Sequence, residues 1–167
     1  AKTLSKTRKA KDRVRVMDEL RGAKGVTPDF LPMLHDQLKN ERSAEVKGAI
    51  AQLLGEAKSP TSVQPLIEAI DMGGTDSVSA DMNKKIANAL GTIGDPSAQS
   101  TLMKLVAFKD PFTRIEAINA LGQLKAKEAV PTLIQIASDE SIEPFISKKA
   151  IEALAKAGIP VGALVAP

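Results

Sequence analysis

The stretch from Met82 to Leu105, MNKKIANALGTIGDPSAQSTLMKL, carries a pattern that returns along nearly the whole chain. Aligned on the Leu of its Leu-Gly step, or on the Leu standing in that place, the sequence repeats at Leu20, Leu54, Leu90, Leu121 and Leu154. The intervals are 34, 36, 31 and 33 residues. Periods of this size mark stacked supersecondary units, each unable to bury its apolar face alone. The chain has four Phe, no Trp and no Tyr, so Ala, Leu, Ile and Val must fill the core. That composition suits close-packed helices better than a sheet, and the fold class expected is all-α.

The units differ in clarity. Unit one is the most degenerate: a helix from about Leu4 to Arg21 and another from about Asp29 to Asn40, carrying Phe30, Leu31, Leu34 and Leu38 on one stripe. An end repeat has a neighbour on one side only and tolerates such divergence. In unit two, Ser43 opens a helix that Gly55 is expected to end, and Ser59-Pro60 opens its second helix. Residues 71–81, with two Gly and three hydroxyl side chains, read as an excursion between units rather than as an element. Units three and four agree best, Met82–Gly91 aligning with Thr113–Gly122, each followed by a second helix at about 97–108 and 127–138. Unit five supplies one helix from Pro144 to about Ala157, and the apolar tail 158–167 is expected to lie over it as a lid. Residues 1–167 thus read as a single domain.

Ile86-Ala87-Asn88-Ala89-Leu90-Gly91-Thr92-Ile93-Gly94-Asp95-Pro96, together with Thr113-Arg114 through Gly122 and Val130-Pro131-Thr132-Leu133-Ile134, resembles the HEAT-like repeat of the phycobilisome-lyase type. The resemblance covers about residues 43–157. It implies a right-handed α-solenoid of about five two-helix HEAT-like repeats, with the Ala-Leu-Gly helices lining the concave side. It also implies a non-enzymatic scaffold that binds a segment of another protein in the groove. Ala87, Ala89, Ala117, Ala120, Ala150 and Ala153 fit this, because small side chains let neighbouring helices approach.

The helical period marks the exposed positions of each first helix: Gly48, Ala49 and Gln52; Lys84, Lys85 and Asn88; Ile115, Glu116 and Asn119; Lys148, Lys149 and Glu152. Gln52, Asn88 and Asn119 recur at one position in three successive units. A row of amides offers donors and acceptors that could hold an extended peptide by its backbone; a polar residue at an exposed helical position is the plainer reading. Arg13, Lys47 and Arg114 form a second row, from which Asn83 and Ser147 depart. In the repeat type resembled, this basic position pairs with an Asp of a neighbouring unit, for which Asp95 and Asp110 are at hand.

Charge is uneven. Residues 1–15 hold seven bases, Lys2, Lys6, Arg8, Lys9, Lys11, Arg13 and Arg15, against Asp12 alone. Such a segment can bind a polyanion, nucleic acid or an acidic membrane surface; it also fits the solvated face of a helix whose apolar stripe is Ala10, Val14 and Met17. With no Cys and the single His35, expected on the surface, no metal site of ordinary composition forms and no cofactor is expected. The absence of any His-Glu pair excludes the iron-dependent hydroxylase chemistry of some HEAT-like proteins, and the lack of Trp and Tyr argues against base-stacking glycosylases. Gly91-Thr92-Ile93-Gly94 follows no strand and precedes no Gly-Lys-Ser/Thr, so no phosphate loop is supported. A regulatory or lyase-associated subunit of an enzyme complex is a third reading. No run of roughly 20 apolar residues crosses a bilayer, and the basic start favours a cytoplasmic location.

Overall fold

A computed structural model describes residues 9–23 and 25–162. These residues form nine α-helices and no strand: α1 Ala10–Gly22, α2 Leu31–Asn40, α3 Ala44–Ala57, α4 Val63–Glu68, α5 Ser77–Ile93, α6 Gln99–Leu105, α7 Pro111–Gln123, α8 Val130–Ser138 and α9 Pro144–Lys156. The all-α reading and the division into helix pairs agree with this order. Residues 4–8, placed by the sequence in the first helix, lie outside the described residues, as do residues 163–167 of the expected lid.

Local chemistry sets the helix ends. Ser43 accepts a hydrogen bond from the Val46 N–H at 3.4 Å, Asp76 from Val78 and Ser79 at 2.9 Å each, and Asp110 from Thr113 at 2.6 Å. Each satisfies an N–H that the first turn leaves without a partner. A single 3-10 turn precedes α2, α4, α6 and α8, and in the first three of these Pro occupies the opening position, where its missing N–H costs nothing. The Asp76 cap corrects one expectation. Helix α5 begins at Ser77, so the excursion between units two and three spans 71–76, not 71–81.

The glycine of the Leu-Gly step does not end its helix. Helix α3 runs past Gly55 and turns at Lys58, α5 ends at Gly94 and α7 is followed by Lys125; these three residues take left-handed φ of 52°, 75° and 50°. Gly55, Gly91 and Gly122 instead sit where the next unit's first helix comes closest. A Cβ on Gly55 would lie 2.9 Å from Cα and Cβ of Ala89. One on Gly91 would lie 2.8 and 2.7 Å from the same atoms of Ala120, and one on Gly122 2.9 and 3.0 Å from those of Ala153. The Leu-Gly signature therefore encodes a close helix–helix approach repeated three times.

Helices α1, α3, α5, α7 and α9 pack in succession into one layer, closed from α3 to α9 by these contacts, while α2, α4, α6 and α8 each pack on the odd helix that follows. Between the layers runs a core of Ala, Val, Leu, Ile and Met, with Ile50, Leu54, Ile86, Leu90, Ile118 and Leu121 among its fully buried members. No aromatic ring is buried in it. Ile159 and Val161 pack against its C-terminal end, and the Ile159 N–H donates to the Leu154 carbonyl at 3.0 Å.

Polar contacts stitch the turns. Asn83 and Asp71 exchange two hydrogen bonds, side-chain amide to carbonyl at 2.8 Å and backbone N–H to side-chain oxygen at 3.0 Å. At the equivalent position Arg114 Nε donates to the Val106 carbonyl at 3.0 Å, and Ser147 Oγ to that of Ile136 at 3.3 Å. The inter-repeat pairing expected of Arg114 with Asp95 or Asp110 is not made; both aspartates cap helices. Asn83 and Ser147, which break the basic pattern in sequence, share the role of Arg114: each ties a first helix to backbone in the last turn of the preceding even helix or just beyond it. His35 also departs from expectation. It is half-buried, and its Nε2 lies 2.9 Å from Oγ of the buried Ser62, linking α2 to the turn before α4.

Candidate interaction face

The exposed face of the odd-helix layer collects most of the residues singled out from the sequence. Gly48 and Ala49 are exceptions. Both are buried, Gly48 beneath Lys85 and Met82, so unit two contributes Gln52 alone. Gln52 lines an open hollow of about 300 Å³ over α1, α3 and α5, with Lys11, Val14, Glu45, Asp81 and Lys85 around it.

In α5 the Asp81 carboxylate is shared by two ammonium groups, Lys84 at 3.0 Å and Lys85 at 2.8 Å. Burial disfavours the charged form of Asp81, but the hydrogen bonds from Lys85 and Lys84 outweigh it and hold the carboxyl below its ordinary pKa. Asn88 reaches across to the next unit and donates to Glu116 Oε1 at 2.7 Å. Gln52 and Asn119, its equivalents, are half-buried and make no hydrogen bond among the described residues. In α9, Lys149 donates to Glu152 at 2.8 Å and lies 5.5 Å from the centroid of the Phe145 ring. That hydrogen bond, opposed by burial and aided by the charges of Lys149, Lys148 and Lys156, lowers the pKa of Glu152.

The basic N-terminal residues do not form one surface. Lys2, Lys6 and Arg8 lie outside the described residues. Lys9 and Lys11 are exposed, and Arg15 faces Glu19 at 3.5 Å along an exposed helix edge. Arg13 points inward. Its Nε and Nη2 each lie 2.9 Å from an oxygen of Glu41, a bidentate pair whose side chains are 12% and 4% exposed. The same carboxylate accepts from the Arg42 and Ser43 N–H groups at 2.8 and 2.9 Å and from the Gln37 amide at 3.0 Å. Burial alone would raise the Glu41 pKa; the Arg13 hydrogen bond, with those of Ser43 and Arg42, reverses this and lowers it.

Sequence reasoning passed over two residues here. Phe112 is 64% exposed and Phe145 is 57% exposed, each in the first turn of an odd helix. The signal was present: Asp110-Pro111-Phe112 and Glu143-Pro144-Phe145 are the same acid-Pro-Phe triplet, 33 residues apart.

No group of three or more metal-ligating side chains comes together among the described residues, and no described helix is long and apolar enough to cross a membrane. A search of curated proteins gives no match. The family description of HEAT repeats matches residues 31–111 and again 75–155, two overlapping registers that together span α2 to α9. The tandem helix pairs, the odd-layer seam and this match lead to one conclusion: the chain belongs to the HEAT-repeat family.

Proposed function

We propose that this chain is a non-enzymatic interaction module that binds a segment of another protein on the exposed face of its odd helices. HEAT repeats are commonly protein-interaction scaffolds, and repeat stacks of this kind present extended concave surfaces. The observation that carries the reading is the contrast within the odd layer. Its buried side is closed by Gly–Ala contacts that draw neighbouring odd helices together. Its outer side presents Gln52 and Asn119 with their amide hydrogen bonds unused. An extended segment laid across Gln52, Asn88 and Asn119 would be held by its backbone, at the expense of the Asn88–Glu116 bond. Lys84, Lys85, Glu116, Lys148, Lys149 and Glu152 flank that track and supply selectivity.

The resemblance to the phycobilisome-lyase branch rests on structural positions and assigns no catalytic residue. A role as the companion subunit of an enzyme complex would use the same face. The polyanion reading is disfavoured by Arg13, whose guanidinium is committed to Glu41. We place the domain across residues 1–167 and its work in the cytoplasm. The test is the affinity of a purified partner segment for Asn88→Ala/Asn119→Ala beside the unaltered chain. A loss of tenfold or more at unchanged melting temperature is expected, and unchanged affinity overturns the amide track.

A further inference from the structure

Each odd helix carries, one residue before its first buried core position, a side chain on the rim of the proposed binding face. In chain order from α3 these are Glu45, Asp81, Phe112 and Phe145. Unit three shows what an acid does there: Asp81 neutralises the lysines three and four residues on, Lys84 and Lys85. Unit five repeats the lysine pair as Lys148 and Lys149 but places Phe145 where the carboxylate stood. Lys149 turns to Glu152 and to the Phe145 ring, while Lys148 is exposed and has no ion pair among the described residues. In unit three one carboxylate pairs with both lysines, whereas in unit five Glu152 pairs with Lys149 alone.

The apolar element points the same way. All four Phe of the chain lie outside the buried core, and the two most exposed occupy this one position in neighbouring units. Packed helices stand about 8–10 Å apart, which sets the spacing of the two rings along the rim. Phe112 also borders an open hollow of about 250 Å³ lined by Ser77, Ala80, Asp81 and Lys84 of α5 and by Asp110. Over α5, α7 and α9 the face carries five lysines, Lys84, Lys85, Lys148, Lys149 and Lys156, against the carboxylates of Asp81, Glu116 and Glu152. Asp110 and Glu143 occupy the N-cap positions of α7 and α9, two residues before Phe112 and Phe145, where the helix ends favour negative charge.

We infer that the α7–α9 end of this face takes an acidic, apolar peptide: apolar side chains of the partner pack on Phe112 and Phe145, and a neighbouring partner carboxylate pairs with Lys148 and Lys149, supplying the charge that Asp81 supplies in unit three. Desolvation by the rings strengthens that pairing relative to an ion pair in open water. This rests on the proposed function and narrows it to a partner chemistry and to one end of the groove.

The experiment selects displayed random 12-residue peptides on the full chain and titrates the winners against three variants: Phe112→Ser/Phe145→Ser, Lys148→Glu, and Gln52→Ala/Asn88→Ala/Asn119→Ala. All these side chains reach the surface, and circular dichroism checks that each variant keeps its helix content. The inference expects winners with Asp or Glu beside a large apolar residue, weakened tenfold or more by the Phe pair and by Lys148→Glu, and weakened further as salt rises. Winners of neutral or basic composition that respond to the amide variant and not to the Phe or Lys variants overturn this inference and leave the groove reading intact. Winners insensitive to all three variants, or no enrichment at all, overturn both.

Discussion

Two stretches of the odd-helix layer are built from the same repeat and held by opposite chemistry. From α3 to α9 neighbouring helices meet through Gly55–Ala89, Gly91–Ala120 and Gly122–Ala153, with no room for another carbon. At the α1 end the position after Leu20 is Arg21, and beside the buried Met17 the attachment adds ion pairs: Arg21 to Glu56 at the surface, Arg13 to Glu41 inside. A unit flanked on both sides can specify a close approach by removing side chains. The end unit, with one neighbour, uses directional bonds that fix α1 and α2 onto α3 together, since Glu41 joins all three through Arg13, Gln37 and Ser43. The difference teaches that register along the stack is set by shape in the middle and by charge at the N-terminal end.

The most severe way to break the comparison is Arg13→Ala. It leaves a buried carboxylate without its cation, and a loss of about 3–5 kcal/mol is expected, measured by urea unfolding. A loss no larger than that of an exposed pair would mean that Glu41 is solvated. Next is Gly91→Ala. Its new Cβ meets backbone and side chain of Ala120 and the Gln123 amide, so overpacking of about 1–3 kcal/mol is expected, although Ala ordinarily favours a helix over Gly. A stabilised variant would show that the seam can open. The smallest effect is Arg21→Ala, about 0–1 kcal/mol, because both members of that pair are nearly half exposed.

Acid titration sharpens the same contrast. The folded Glu41 pKa lies below its unfolded value, so its contribution is full above about pH 4.5 and is lost as pH falls through the folded value. Burial also lowers the folded pKa of His35, so the unfolded chain binds that proton first, and stability declines as pH drops below about 6.5. Melting temperatures from pH 7 to pH 3 should fall in two phases. Arg13→Ala should diminish the lower phase, and His35→Asn should remove the upper one.

The repeat, the helix pairs and the aliphatic core were legible because each unit writes them again, and a period seen in several copies outweighs the ambiguity of any one. Contacts made once were not legible. Nothing local distinguishes Glu41 from a solvated carboxylate, since its cation is 28 residues away; the His35–Ser62 link spans 27. The Gly55 error has another origin. Glycine ends helices through backbone freedom and permits close helix contact through its missing side chain, and the sequence shows the residue but not the neighbour. At the candidate face, periodicity found the polar positions, yet it placed Gly48 and Ala49 outside because it cannot register how closely α5 covers α3. The two exposed phenylalanines were passed over, although their acid-Pro-Phe triplets recur one repeat apart.

The most direct test of the account is an amide NMR titration of the 17.6 kDa chain with the tightest peptide from the random selection, following side-chain and backbone signals together. The account predicts that the side-chain amides of Gln52, Asn88 and Asn119 and the backbone amides of α5, α7 and α9 shift together, with α2, α4, α6 and α8 unmoved. Shifts confined to the even helices, or to residues 1–15, would contradict it.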